Sequence, residues 1–509
     1  MDSPATILPE AAARFGAKPA LVTNTRTMTF AELDVESDRV GAGLVARGVR
    51  PGDTVSIYSQ NRWEWIVAYH GALKMGAVVN PVNVMLTAEE LIYVLQDCES
   101  TAVFVGGDRT EVVLEAAGEL PGVKAVVTFD DDTIAGAVSF TDLLLEDAPS
   151  VRHSPRPEQA CVIAYTSGTT GHPKGAVQSH RGIALNCGLT ATMHGRDDSD
   201  VIVTALPAAH VYGNVAINGT LMAGGTVVLM ERFDASRALE LIAEHRATLF
   251  EGVPAMYATL LADPNLAAAD LSSLTRCTVG GQTMPLTTME HWQVRSGAPL
   301  IELWGMTELS GLGTTHARHA QGPLGSVGVS LPGVEVRISD LSDTSREATA
   351  GVAGELTVRG PIVMLEYYKN PEATAEVLDE AGWLRTGDIA TKDAAGNIFV
   401  VDRLKDMIIT GGYNVYPAEI ERVLTAHPAI ALVAVGPLPD HVKGEVACAY
   451  VVLKTGETVT EDEVIAFSAT RLAAYKRPRS VRFVSDLPKT SSGKIMRRKL
   501  AHSNVSRVG

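Results

Sequence analysis

Helical and strand periods alternate along the first hundred residues, and this alternation limits the architecture more than any other feature of the chain. Phe30, Leu33, Val40 and Leu44 fall on one helical face, Pro51, Gly52 and Asp53 turn the chain, and residues 54–58 read as a short strand. The cycle then repeats. Thr87 and Glu90 have the spacing of a capping box opening a helix through Leu95, and residues 101–105 are apolar and β-rich like a buried strand. Residues 234–245 and 248–253 form another helix-then-strand unit, and the repetition predicts an α/β body with a parallel sheet.

After Arg403 the pattern becomes a compact α+β unit. Pro417 stands near the start of a helix running to about Thr425, strands are expected at 430–435 and 446–453, Thr460 and Glu463 form a second capping box, and 481–484 closes the set. A chain of 509 residues exceeds what one compact core usually holds. We therefore expect residues 1–401 as an N-terminal domain, 402–406 as a junction, and 407–509 as a smaller C-terminal domain.

Charge is divided unevenly between these parts. The formal net charge is −16, which argues against a nucleic-acid partner recruited by the overall field. From Lys405 onward, seven Lys and eight Arg face six Glu and four Asp, a local excess of +5 on a body that carries −21. A basic C-terminal unit on an acidic body suits an anionic ligand, although a solvated basic face would read the same way. The five scattered cysteines form neither a disulfide framework nor a zinc site, and no stretch approaches the ~18 apolar residues of a membrane span. With no leader-like N-terminus, a reducing cytoplasm is the expected location.

The strongest chemical signal is Tyr-Thr-Ser-Gly-Thr-Thr-Gly-His-Pro-Lys-Gly at 165–175, directly after the apolar run 160–164. Thr166, Ser167, Gly168, Thr169, Thr170 and Gly171 leave backbone NH and hydroxyl groups able to wrap a polyphosphate, and Lys174 adds a positive charge. It is not a Walker A loop, because Pro173 and Gly175 stand where glycine and a hydroxyl residue are required.

Further motifs follow in a fixed order: Pro-Ala-Ala-His at 207–210, Gly-Gly-Gln at 280–282, Trp-Gly-Met-Thr-Glu at 304–308, Thr-Gly-Asp at 386–388, Asp-Arg-Leu-Lys at 402–405, Gly-Gly-Tyr-Asn at 411–414 and Pro-Lys-Thr-Ser-Ser-Gly-Lys at 488–494. With the loop at 165–175, this ordered set resembles the adenylate-forming superfamily of acyl-CoA synthetases, adenylation domains and firefly luciferase, over about residues 30–499. The resemblance implies a large N-terminal α/β domain of parallel sheets sandwiched with helices plus a small β subdomain, and a mobile C-terminal domain. It also implies ATP, Mg²⁺ and CoA as cofactors and a small carboxylic acid as substrate.

Carried onto this sequence, the resemblance gives Glu308 as a magnesium ligand and Thr307 as a phosphate contact. Trp304 would stack on adenine where relatives carry tyrosine, Asp388 would accept both ribose hydroxyls, and Arg403 would contact ribose or phosphate. Gly280, Gly281 and Gln282 would line the adenine and acyl pockets, with glycine where a side chain would block approach. Lys494 would bridge the attacking carboxylate and the α-phosphate. Lys405 would be the pivot about which the small domain turns, bringing Gly411 and Gly412 to a pantetheine tunnel. His210 would gate that tunnel, and Tyr212 and Asn214 would follow on a pocket-lining helix.

For the acid, the resemblance points to Leu303, where malonate-activating relatives carry arginine, and to Gly305, where acetate-specific relatives carry a bulky tryptophan. An apolar monocarboxylic acid larger than acetate is the expectation, medium-chain or aromatic. Transfer of the acyl adenylate to an amine or a free-standing carrier protein is the alternative to CoA. A non-catalytic nucleotide sensor and a luciferase-like oxygenase are the remaining rivals, and a homodimer is left open.

Overall fold

The computed structural model describes residues 2–106, 109–130, 134–145, 151–166, 173–488 and 495–502. Among these residues the chain forms two large sheets with parallel interiors, an antiparallel four-stranded sheet, and a five-stranded sheet near the C-terminus.

Helix Phe30–Ala46 shows how local sequence produces the body. Thr29 caps it and Glu32 reaches back to complete the box, while Phe30, Leu33, Val40 and Leu44 are fully buried on one face. Gly71 of helix Trp63–Lys74 lets the two helices touch closely: a Cβ there would lie 2.7 Å from Val40 and from the Ser37 carbonyl. The expected capping box at Thr87 opens helix Ala88–Asp97.

The first large sheet centres on parallel strands Thr54–Tyr58, Val78–Pro81, Ser100–Val105 and Ala160–Thr166, the last followed by antiparallel Lys174–Ser179 and then Glu366–Tyr367 at the edge. The second runs parallel through Thr226–Leu229, Val201–Thr204, Leu249–Gly252, Arg276–Val279 and Leu300–Met306, and continues with antiparallel Gly311–Thr315 and Val329–Ser330. Continuous burial of these short strands is what a parallel sheet covered on both faces requires. Strands Glu335–Ser339, Gly354–Arg359, Leu384–Lys392 and Ile398–Arg403 make the small antiparallel sheet.

Beyond residue 406, helix Pro417–Thr425 matches its sequence expectation, and Thr460 caps helix Glu461–Ala469 with the predicted box. Strand Ile430–Asp440 runs past the expected end at 435 and includes Pro437 and Pro439. It is tolerated because this strand lies at the sheet edge, where a missing NH costs no ladder bond. The unit has its own core around Ile408, Ile420, Leu424, Val433, Val435 and Val451. No helix among the described residues is long and apolar enough to cross a membrane.

Candidate active site

The two ends of the glycine-rich motif are tied together by strand pairing. Strands Ala160–Thr166 and Lys174–Ser179 pair with Thr166 opposite Lys174, so the two ends of the glycine-rich segment stand side by side. Thr166 Oγ1 donates to the Lys174 carbonyl at 3.4 Å. Ser167, Gly168, Thr169, Thr170 and Gly171 lie outside the described residues, as does Lys494.

Lys174 and Gln178 alternate onto one face of their strand with Ala176 between them. Gln178 Nε2 donates to the Thr307 carbonyl at 2.7 Å, which docks the Thr307–Leu309 turn on this strand. The Lys174 ammonium sits 5.3 Å from the centre of the Tyr367 ring and 4.0 Å from Glu376. Tyr367, opposite Ala176 in the ladder, donates its hydroxyl to Glu308 Oε1 at 2.7 Å. Burial, followed by the Glu308 charge, pushes the Tyr367 phenol well above its ordinary range, so it stays a donor. Lysine, tyrosine and glutamate thus form one line, and the buried Glu308 carboxylate is held in a single orientation.

Sequence reading missed Tyr367 and Gln178. Gln178 could have been found from the alternation with Lys174; Tyr367 is brought in by pairing across about 190 residues and carries no local signal.

Four residues before Glu308, Trp304 lies on strand Leu300–Met306. Its indole Nε1 donates to Asp388 Oδ2 at 2.8 Å, and Arg403 Nε donates to Asp388 Oδ1 at 2.6 Å. Asp388 and Arg403 face each other in the ladder between strands Leu384–Lys392 and Ile398–Arg403. Trp304 and Arg403 thus hold one oxygen each of the Asp388 carboxylate. Gly313 lies against one side of the indole, where a Cβ would stand 2.6 Å from Cζ3.

His210 is exposed and caps helix Val211–Ala223: its Nδ1 accepts the Tyr212 NH at 3.2 Å, which in the neutral ring puts the proton on Nε2. Asn214 Oδ1 accepts from Tyr69 and Asn218 at 3.3 and 3.0 Å. It lines a small cavity with Tyr69, Val162, Ala164, Gln178 and Val211, adjoining the segment that carries Thr307.

On the acyl side one expectation needs correction, that for Gly305, and Tyr212 and Gly280 meet partners within the chain. Tyr212 turns into the core: its hydroxyl lies 2.7 Å from Thr278 Oγ1, which donates to Glu251, and Glu251 pairs with buried Arg196 at 2.5 Å. Gly305 does not leave an open position, because a Cβ there would fall 2.1 Å from the Gly311 carbonyl; two backbones in close approach demand the glycine. Gly280 is required by the chain itself as well, since a Cβ would strike Leu303 Cδ1 at 2.1 Å. Gly281 has φ +87°, a conformation that favours glycine, and Gln282 is exposed beside it. Buried Leu303 therefore roofs the turn at 280–281.

Lys405, Gly411 and Gly412 are exposed. Nothing lies within 4 Å of a Cβ built on either glycine.

Residues 8–368 match the AMP-binding enzyme family and residues 419–494 its C-terminal domain. The chain belongs to the AMP-binding enzymes. Among curated members of this family, a 3-[(3aS,4S,7aS)-7a-methyl-1,5-dioxo-octahydro-1H-inden-4-yl]propanoyl:CoA ligase of Rhodococcus jostii (strain RHA1) is 36% identical, with 96% of each chain covered. A feruloyl-CoA synthase of an Amycolatopsis species is 38% identical over 92% of each. Among solved AMP-binding enzymes, the anthranilate CoA ligase AuaEII in complex with anthranoyl-AMP superposes with a TM-score of 0.90 at 29% identity, covering 98% of this chain and 96% of that one.

Proposed function

We propose that the chain is an ATP-dependent, AMP-forming acid–thiol ligase acting on an apolar monocarboxylic acid larger than acetate, with CoA as the acceptor. The observation that carries this reading is the convergence of Lys174, Tyr367 and Glu308 at one end of strand Leu300–Met306 and its following turn, with Asp388 and Arg403 meeting Trp304 of that strand. The spacing suits a nucleotide whose base and ribose lie by Trp304 and Asp388 and whose phosphates reach Lys174 and Glu308.

In the first step a carboxylate oxygen attacks the α-phosphorus, a carbonyl–oxygen–phosphorus linkage forms, and pyrophosphate leaves. Negative charge gathers there, and aimed cations lower the barrier. Lys174 and Arg403 supply positive charge from the large body, and Lys494 is the lysine we assign to the α-phosphate. Mg²⁺ fits the donor set: one carboxylate, Glu308, is available beside the phosphate loop, and this ion is commonly held by one or two carboxylates together with substrate phosphates. It would supply charge neutralisation at the leaving pyrophosphate. Among the described residues no three-carboxylate or histidine cluster offers a separate metal cage.

In the second step the CoA thiolate attacks the acyl carbonyl carbon and AMP departs. We assign residues 1–401 to the nucleotide-binding body, 402–406 to a hinge about Lys405, and 407–509 to a unit whose rotation brings the glycine hairpin at 408–415 to the thiol. The exposure of Ile409, Tyr413 and both glycines supports a hairpin that has a second docking place. His210, at the helix start beside the small cavity, is the residue we place at the thiol entrance. Leu303 over Gly280 favours an apolar acid.

The test is a panel of carboxylic acids spanning chain length and aromatic rings, scored by pyrophosphate release with and without CoA. Acid-dependent release with CoA-dependent turnover supports the reading; release that responds to amines and not to CoA would redirect it to the amide-forming alternative.

A further inference from the structure

One arginine of the small unit grips the junction from both sides. Leu500 and Ile495 pack with Ala434, Cys448 and Tyr450 in the small unit, so Arg497 between them moves with that unit. Its Nε and Nη2 hold Glu421 as a fork at 3.1 and 2.7 Å. Nη1 lies 3.1 Å from Asp406 and 3.7 Å from Asp402.

These three carboxylates do not belong to the same body. Asp402 ends the large body's sheet on strand Ile398–Arg403, whereas Glu421 lies on helix Pro417–Thr425 and Asp406 follows Lys405. Asp402 also accepts the Ala418 NH through Oδ2 at 2.7 Å, at the first turn of that helix, where NH groups lack intrahelical partners. The buried Asp402 carboxylate thus touches the small unit twice. A turn about Lys405 would leave Arg497 with Glu421 and Asp406. It would separate Asp402 from both of its small-unit partners.

We propose that Asp402, Arg497 and the Ala418 NH form a latch that holds the small unit in the orientation seen here and must open before the thiol step. The proposal rests on the two-step reading above. In the latched orientation the hairpin at 408–415 stands away from the body, with Ile409 52% and Tyr413 58% exposed. This is an orientation for the first step, and Lys494, the lysine assigned to that step, precedes Arg497 by three residues in the chain. Burial raises the Asp402 pKa, and Arg497 with the Ala418 NH pulls it back only in part.

Asp402→Asn tests the latch with the least damage to the fold, because it preserves shape and leaves the Arg497–Glu421 fork intact. We expect acid-dependent ATP–pyrophosphate exchange to fall about ten-fold, the scale of one charged hydrogen bond, while thioester formation from supplied acyl adenylate stays at or above wild type. The adenylate used is that of the best acid in the panel. Arg497→Gln should shift the ratio of the two half-reactions the same way, Arg497→Lys should restore part of it, and the double variant should lose no more than the worse single one. Thermal melting of each variant establishes that it is folded. A folded Asp402→Asn enzyme with an unchanged ratio, or with both half-reactions reduced equally, overturns the latch. A wild-type chain lacking acid-dependent exchange would instead overturn the functional reading beneath it.

Discussion

The indole nitrogen of Trp304 donates to Asp388 at 2.8 Å, joining the residue read as the adenine platform to the residue read as the ribose acceptor. The bond makes Trp304 more than a flat surface. It fixes the carboxylate from one side while Arg403 fixes it from the other, so Asp388 is oriented before any nucleotide arrives. Trp304→Phe keeps a ring and removes the donor. The KM for ATP should rise about ten-fold with kcat changed much less, because a hydrogen bond to a charged group is worth about 1.5–3 kcal/mol. Steady-state pyrophosphate release at varied ATP measures it.

Tyr367→Phe removes the hydroxyl that orients Glu308 and leaves the ring beneath Lys174. Half-maximal activity should then need several-fold more Mg²⁺, since second partners of a metal carboxylate typically affect affinity by about 10-fold or more. A magnesium titration of pyrophosphate release decides this. An unchanged magnesium midpoint would remove Tyr367 from the site.

Leu303→Gly should enlarge the space over Gly280 and favour bulkier aromatic acids over the original one in competition assays. Gly305→Ala should instead fail to give stable protein, because its methyl would meet the Gly311 carbonyl and neither backbone can yield cheaply. If Gly305→Ala is stable and merely shifts the acid preference, the backbone assignment at 305 is wrong.

Acid pH should unfold the protein through its buried histidines. Burial lowers His70 to about 3, with Lys74 adding to the effect, and lowers His180 to about 4, with His153 adding. His194 and His316 are lowered by burial as well. Unfolded, each takes up a proton near its ordinary value of 6.5, so the unfolded chain binds more protons as pH falls below that point. Stability held above pH 6.5 is then lost on the way down, at up to about 1.4 kcal/mol per pH unit per group. Glu302 works the other way: burial raises it to about 7, and its contribution, present at low pH, disappears as pH rises from 4.5 toward 7. Asp402, also raised by burial, acts in the same direction as Glu302. Four histidines outweigh two carboxyls, so denaturant midpoints should be lower at pH 5 than at pH 7.

Features set by nearby residues were legible in the sequence. The capping boxes at Thr29, Thr87 and Thr460 need only a four-residue pattern, although the first was recognised only in the structure. The strand from Ile430 was read too short because Gly436, Pro437 and Pro439 argue against a strand until its edge position is known. At the site, motif order pointed to Trp304, Glu308, Asp388 and Arg403, but not to the bonds between them. The inward bond of Tyr212 was not legible, because helical spacing does not reveal that Thr278 and Glu251 lie behind it. Gly305 was misread because an absent side chain looks the same whether it leaves space for a ligand or for another backbone.

Acid-dependent ATP–pyrophosphate exchange, measured for the wild-type chain beside Glu308→Gln and Lys494→Ala, tests the central claim most directly. Wild type should exchange label only when a suitable acid is present. Each substitution should reduce that rate by at least about 100-fold, the usual loss for one preorganised charge-stabilising group. Exchange that needs no acid, or that survives both substitutions near the wild-type rate, would contradict the assignment of these residues to carboxylate activation.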